Sequence, residues 1–209
     1  MAPDERRAAL IQATIPLLHE HGLDVSTRQI AEAAGVAEGT IFGVFENKNK
    51  LVTLSVLEAL DPQPTVDALA AIDRSLLLRE RLTTAAALVS ARFTEHAHLM
   101  SAVRKLIIMP GGVGPETRGR MVADRGRVQT ALAEVIEPDA PVLRRSPDSV
   151  ARLLLLYCGA HTYGPFGDPD GFDARETVSL LLDGLLIRHD ENRQHDIRQD
   201  ENRGVQSTC

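Results

Sequence analysis

Residues 26–48, STRQIAEAAGVAEGTIFGVFENK, constrain this chain more tightly than any other stretch. Ser26 followed three residues later by Gln29 is a capping-box pattern, so a helix starts there. Ile30, Ala31 and Ala34 give it an apolar face. Gly35 ends it, because a left-handed residue after a helix is cheap only for glycine. Val36 packs in the turn, and a second helix runs from Ala37 to Val44. Ala31, Gly35 and Ile41 act as a set. A small residue lets two helices approach, a glycine turns the chain, and an aliphatic residue locks the second helix onto the first. This is the logic of a helix-turn-helix, a spacing that sets one helix into a DNA groove.

Around this motif the chain reads as all-α. Ala and Leu recur at helical spacing, and with aromatics at 3% and Trp absent the core must be built from Leu, Val, Ile and Ala. At 209 residues and 44% apolar content the chain can bury a core and suits one or two domains. No run reaches the length of a membrane span, and MAPDERRAAL lacks a hydrophobic signal segment, so no membrane partner and a cytoplasmic setting are expected. Cys158 lies in an apolar run and Cys209 ends the chain, so a structural disulfide is not expected. The net charge of −6 runs against the basic footprint usual for a DNA binder. In the first fifty residues Arg6, Arg7, Arg28, Lys48 and Lys50 oppose seven acids. Non-specific affinity should therefore be weak and should depend on a few placed cations and on dimerisation.

Along the chain the spacing predicts a first helix over 5–21, with Leu10, Ile11, Thr14, Ile15 and Leu18 inward and Pro16 tolerated as a mild bend. A helix over 48–60 closes the DNA-reading unit, and Asp61-Pro-Gln-Pro64 is the expected domain boundary. The division is 1–61 for a three-helix helix-turn-helix domain, 62–190 for a helical ligand-binding and dimerisation domain, and 191–209 for a disordered tail. Within the second unit, helices are predicted over 65–72, 78–93, 95–109 and 116–136, the last with Arg125 near its inner edge. Pro138 to Pro147 reads as a loop. Ser146-Pro147 starts a helix to about Tyr163, a Gly/Pro/Asp-rich loop follows to Phe172, and Asp173 with Glu176 caps the last helix.

The stretch from Arg7 to Leu60 resembles the N-terminal domain of the tetracycline-repressor (TetR) family of bacterial regulators. The resemblance rests on Gly22, Ile30-Ala31, Ala34-Gly35-Val36, Gly39-Thr40-Ile41-Phe42, Phe45 and Lys48. The rest of the chain resembles the family only in length and helical character. The resemblance implies a homodimeric, ligand-responsive regulator, usually a repressor, that binds double-stranded operator DNA and is released by a small-molecule effector. It implies DNA contacts from Ser26, Thr27, Arg28, Gln29, Ala37, Glu38, Gly39, Thr40, Phe42, Gly43 and Lys48. Arg28 is the base-reading candidate, since arginine bonds guanine bidentately, and Lys48 stands where the family places a lysine on a phosphate. Phe42 replaces the family's usual Tyr, Gly43 has no side chain to read a base, and Glu38 would face phosphates. An alternative is therefore a dimeric sensor or partner-binding module of the same fold with weak or lost DNA binding.

For the effector, His96, Met100, Arg104 and Ile108 stack at i, i+4 spacing, placing one cation in an apolar stripe. The conservative reading of Arg104 is an internal ion pair or an arginine snorkelling to solvent. The functional one is a polar anchor in a ligand pocket. Tyr157 and His161 are further pocket candidates or plain core, and Phe93 joins this set. The final helices carry Leu153, Leu156, Val178, Leu181, Leu182 and Leu185, read as the dimer interface because one small core cannot cover both stripes. His19/His21 and His96/His98 are i, i+2 pairs pointing apart on a helix, so no metal is expected. No cofactor is expected, and no nucleophile motif or phosphate loop points to an enzyme.

Overall fold

The computed structural model describes residues 3–108, 113–160 and 172–185, and those residues form helices and connecting turns with no β-strand among them. The order is α1 Pro3–His21, α2 Thr27–Ala33, α3 Glu38–Val44, α4 Lys48–Ala59, α5 Gln63–Ala70, α6 Leu78–Glu95, α7 Ala97–Ile108, α8 Pro115–Ile136, α9 Pro147–Gly159 and α10 Ala174–Leu185. The termini follow local chemistry. Ser26 and Gln29 form the reciprocal capping box at α2. Asn47 accepts from the Lys50 amide at 2.8 Å to start α4. Asp173 and Glu176 cap α10 through bonds of 2.7 and 3.0 Å. Gly22 and Gly35 hold φ of +59° and +65°, which turns the chain out of α1 and α2.

Several expected boundaries move. The 65–72 helix begins at Gln63, whose amide bonds the Asp61 carboxylate at 3.1 Å. The stretch read as a loop after Pro138 contains a 3-10 turn over Glu137–Val142. The 78–93 helix runs on to Glu95, and His96 ends it rather than lying inside the next one. Among the described residues α9 ends at Gly159; the last part of the helix expected to about Tyr163, the loop expected from there to Phe172 except Phe172 itself, and the tail expected from 191 lie outside them. Pro16 stands exposed within an unbroken α1.

Two clusters of buried side chains organise the packing. The first joins Leu10 and Leu18 of α1, Ile30 and Ala31 of α2, Ile41 of α3, and Leu51, Val52, Val56 and Leu60 around α4. Leu99 and Val103 of α7 enter the same cluster. The second joins Leu69, Leu82, Val89, Leu132, Val150, Leu154, Val178 and Leu182 from α5, α6, α8, α9 and α10. Arg81 is sunk in the second at 1% exposure. It donates to the Val135 carbonyl at 2.7 Å and pairs with Asp139, so one guanidinium closes the end of α8. Cys158 is buried as a free thiol, and burial raises its pKa.

Much of the leucine stripes read as a dimer face is covered within the chain itself. Val178, Leu181 and Leu182 are at most 8% exposed and fill the chain's own second core. Leu153 is half-buried against that core, whereas Leu156 is 50% exposed and Leu180 55%. Leu185 ends α10, and its side chain lies outside the described residues. One monomer core does cover most of both stripes, because α6 and α8 pack against α9 and α10.

Candidate nucleic-acid interface and the cavity behind it

Helix α3 stands on the first core through Ile41 at 0% exposure, and Phe45 just beyond it is 2% exposed. Arg7 lies over the Phe45 ring at 4.8 Å, tying the start of α1 to the end of α3, a cation–π contact the spacing alone does not reveal. With its inner side fixed, α3 presents Glu38, Gly39, Phe42 and Gly43 outward, with Thr40 half-buried beside them and Ala37 exposed at the N-cap. Phe42 is 56% exposed. A β-carbon at Gly39 or Gly43 would meet nothing within 4 Å, so this face is bare rather than crowded.

The start of α2 borders that face. Arg28 is exposed. Ser26 and Gln29 are committed to each other: the Gln29 Oε1 accepts from the Ser26 amide at 2.8 Å and from its hydroxyl at 2.7 Å. Thr27 donates to the Glu38 carboxylate, so the acid at the start of α3 is held by α2. Lys48, first residue of α4, donates from Nζ to the Leu23 carbonyl at 3.2 Å and is half-buried. The Thr27–Glu38 bond thus ties the start of α2 to the start of α3, and several polar groups of the candidate residues already hold partners within the chain.

Behind this face, where the two cores meet, lies a cavity of about 290 Å³. Leu57 and Leu60 of α4 form one wall, Val89, Arg92 and Phe93 of α6 another, and Met100 and Val103 of α7 a third. Helices α8 and α9 close it through Met121, Asp124, Arg125, Val128 and Leu155. Gly159 permits the fit of Phe93, since a β-carbon there would stand 3.3 Å from its ring.

Of the residues expected to meet a ligand, Phe93 and Met100 line this cavity. Arg104 does not; it is exposed, because α7 buries Leu99, Ala102, Val103 and Leu106 and turns the 104/108 side outward. Tyr157 is 46% exposed and is not among the lining residues, and His161 lies outside the described residues. His96 is half-buried beside Arg92 and not in the lining; its Nδ1 has no hydrogen-bond partner among the described residues. Burial, helped by the Arg92 charge, pushes its pKa below the ordinary value.

The cation at the cavity is instead Arg92. Its Nη1 donates to the Asp61 carbonyl at 3.0 Å and its Nη2 to the Leu60 carbonyl, the closing carbonyls of α4. Burial lowers its pKa, with Asp61 acting against the shift. In sequence it stands between Val89 and Phe93, on the same face of α6 as the buried Arg81, and nothing local marks it for this position. Arg125 is exposed at the same cavity.

A family model described as bacterial regulatory proteins, tetR family, matches residues 10–53. No curated protein matches the chain. Among solved structures, a candidate TetR-family transcriptional regulator of Mesorhizobium loti is similar over 90% of this chain and 100% of its own, at 14% identity and a TM-score of 0.71. A transcriptional regulator of Rhodococcus sp. Rha1 is similar over 90% and 100%, at 20% identity and 0.61. Salmonella enterica GusR is similar over 89% and 97%, at 16% identity and 0.60. At these identities the structures speak for the fold.

Proposed function

Because the chain belongs to the tetR family of bacterial regulatory proteins, we propose that it is a cytoplasmic, ligand-responsive repressor that binds palindromic operator DNA as a homodimer and is released by a small hydrophobic effector. The observation that carries this reading is the outward face of α3, exposed at Glu38, Gly39, Phe42 and Gly43 while Ile41 anchors its other side. Residues 1–61 serve as the DNA-binding unit and 62–190 as the effector and dimerisation unit. Arg28 reads a base edge, and Lys48 exchanges the Leu23 carbonyl for a phosphate. Dimerisation through α9 and α10 uses the exposed Leu156 and Leu180 in place of the buried Val178, Leu181 and Leu182. The cavity suits the effector because it touches α4 on one side and the second core on the other. A ligand acts only through different affinities for two states of the protein.

A second reading, a sensor of the same fold with weak or lost DNA binding, draws on the bare Gly39 and Gly43 and on the acid at Glu38. Selection of bound sequences from random duplexes, followed by gel shifts across salt, separates the two. A palindrome with half-sites about one helical turn apart is expected. On it, Arg28→Ala should weaken binding by about 1–3 kcal/mol and relax one base pair per half-site. Lys48→Ala should weaken all sequences alike and flatten the salt slope by about one. Failure to enrich any sequence would favour the sensor.

A further inference from the structure

We propose that the effector is an amphipathic acid whose carboxylate takes the Arg92 guanidinium away from the closing carbonyls of α4. This inference rests on the effector reading of the cavity and adds to it the charge of the ligand and the bond it breaks.

The charge follows from what already has a partner. Asp124, the one acid at the cavity, is shared by Arg120 at 3.7 Å and Arg127 at 3.5 Å, its neighbours on α8. Asp61 is held by Arg127 at 3.5 Å and Glu58 by Arg120 at 3.5 Å. These three carboxylates are therefore occupied by other arginines, while the cavity keeps two guanidiniums. Arg92 is spent on neutral carbonyls, and Arg125 has no ion-pair partner among the described residues. Among the described residues Arg92 is bonded by carbonyls and by no carboxylate; burial lowers its pKa, and Asp61, Asp124 and Glu95 oppose that shift without bonding it. The remaining wall, including Leu57, Val89, Phe93 and Val128, takes an apolar body. The volume of about 290 Å³ sits at the small end of ligand pockets, so the acid is compact.

The switch follows from geometry. The Nη1 and Nη2 groups are the prongs holding Asp61 and Leu60. A carboxylate engages an arginine best through two parallel bonds, and such charge-assisted pairs are roughly twice as strong as bonds to a neutral carbonyl. Acid and carbonyls therefore compete for one fork. Releasing Leu60 and Asp61 uncaps α4 at its C-terminal end. That helix starts at Lys48 and packs on α1 in the first core, so its loosening reaches the proposed DNA face. By linkage, bound operator must weaken the acid by the factor with which the acid weakens operator.

The test uses the full chain with octanoate, 1-octanol and octylamine as probes of equal length, by calorimetry and by operator anisotropy. Octanoate should bind about tenfold or more tighter than octanol, the worth of one charge-assisted bond, and octylamine weakest. Arg125→Met should shrink the octanoate preference. Arg92→Met should abolish it, weaken operator binding without any acid, and leave that binding unresponsive to octanoate. If Arg92→Met does not fold, Arg92→Lys decides: it keeps the charge without the fork, so operator affinity should fall and the octanoate response should shrink. Equal binding of octanoate and octanol, or tighter octylamine, overturns the acid while leaving the cavity as an effector site. Binding of none of the three overturns both. A chain that selects no DNA defeats the regulator reading alone, and the octanoate preference still decides the acid.

Discussion

The two cores of this molecule are held in different ways. In the head, α1 to α4, the determining bonds are short in sequence: Ser26 with Gln29, Asn47 with Lys50, and the turns at Gly22 and Gly35. In the body, α5, α6 and α8 to α10 are drawn together by apolar side chains far apart in the chain and by Arg81 bonding Val135 and Asp139, 54 and 58 residues away. Local chemistry fixes a small reading unit with little freedom. Long-range packing leaves room for alternatives, and the cavity lies where the two regimes meet. Substitutions should accordingly separate the regions.

The largest separation is expected from Asp139→Ala. It strips the counter-charge from Arg81, which is 2% exposed at its side chain, and leaves Nη2 without a partner beside an Nε that already lacks one. Breaking a buried pair from one side costs about 3–5 kcal/mol. Hydrogen exchange should show lost protection in α6 and α8 while α2 and α3 keep theirs. Equal loss in both regions would mean that head and body unfold as one unit.

Gly35→Ala tests the head in the same way. Nothing lies within 4 Å of the added methyl, so only the φ of +65° opposes it. About 1–2 kcal/mol is expected for an alanine in the left-handed region, with protection lost in α2 and α3 and kept in α9. Gly43→Ala runs the opposite way. It sits inside α3 with open space around it, so alanine should stabilise the head by about 0.5–1 kcal/mol in urea melts. No gain, or a loss of operator binding, would mean that the bare backbone at Gly43 is itself needed at the DNA.

The same contrast decides what could be read before the fold was known. The helix-turn-helix was legible because caps, a turn glycine and one buried aliphatic lie within twenty residues of each other. The caps at Ser146 and Asp173 were legible for that reason too. The body was legible as helices but not in how they face. In α7, apolar residues occur on both sides, and the 96/100/104/108 stripe gave way to Leu99, Ala102, Val103 and Leu106. For Val178, Leu181 and Leu182 the stripe was real, but a stripe does not say whether the same chain or a second copy covers it. Arg81 and Arg92 carried no local sign of their roles, since their partners lie 31 to 58 residues away.

His96 offers the finest test, because it sits at the seam. It ends α6, and the charges around it come from both regions: Arg92 and Glu95 on α6, and His19 on α1. Burial is the main cause that lowers its pKa, Arg92 and His19 act the same way, and Glu95 opposes them. The unfolded chain takes up the proton near the ordinary 6.5, while the folded chain holds His96 neutral to lower pH. Its contribution to stability is therefore complete above 6.5 and is lost as pH falls through the folded value. His96→Asn removes this linkage. Urea midpoints between neutral and mildly acidic pH should fall less steeply in the variant than in the wild type, and the two should converge toward the acid end. Exchange measured alongside should place the acid-induced opening where α1 meets α6 and α7, not in α9 or α10. Parallel pH slopes in the two proteins would show that acid acts on other groups and that the seam is no weaker than the cores on either side.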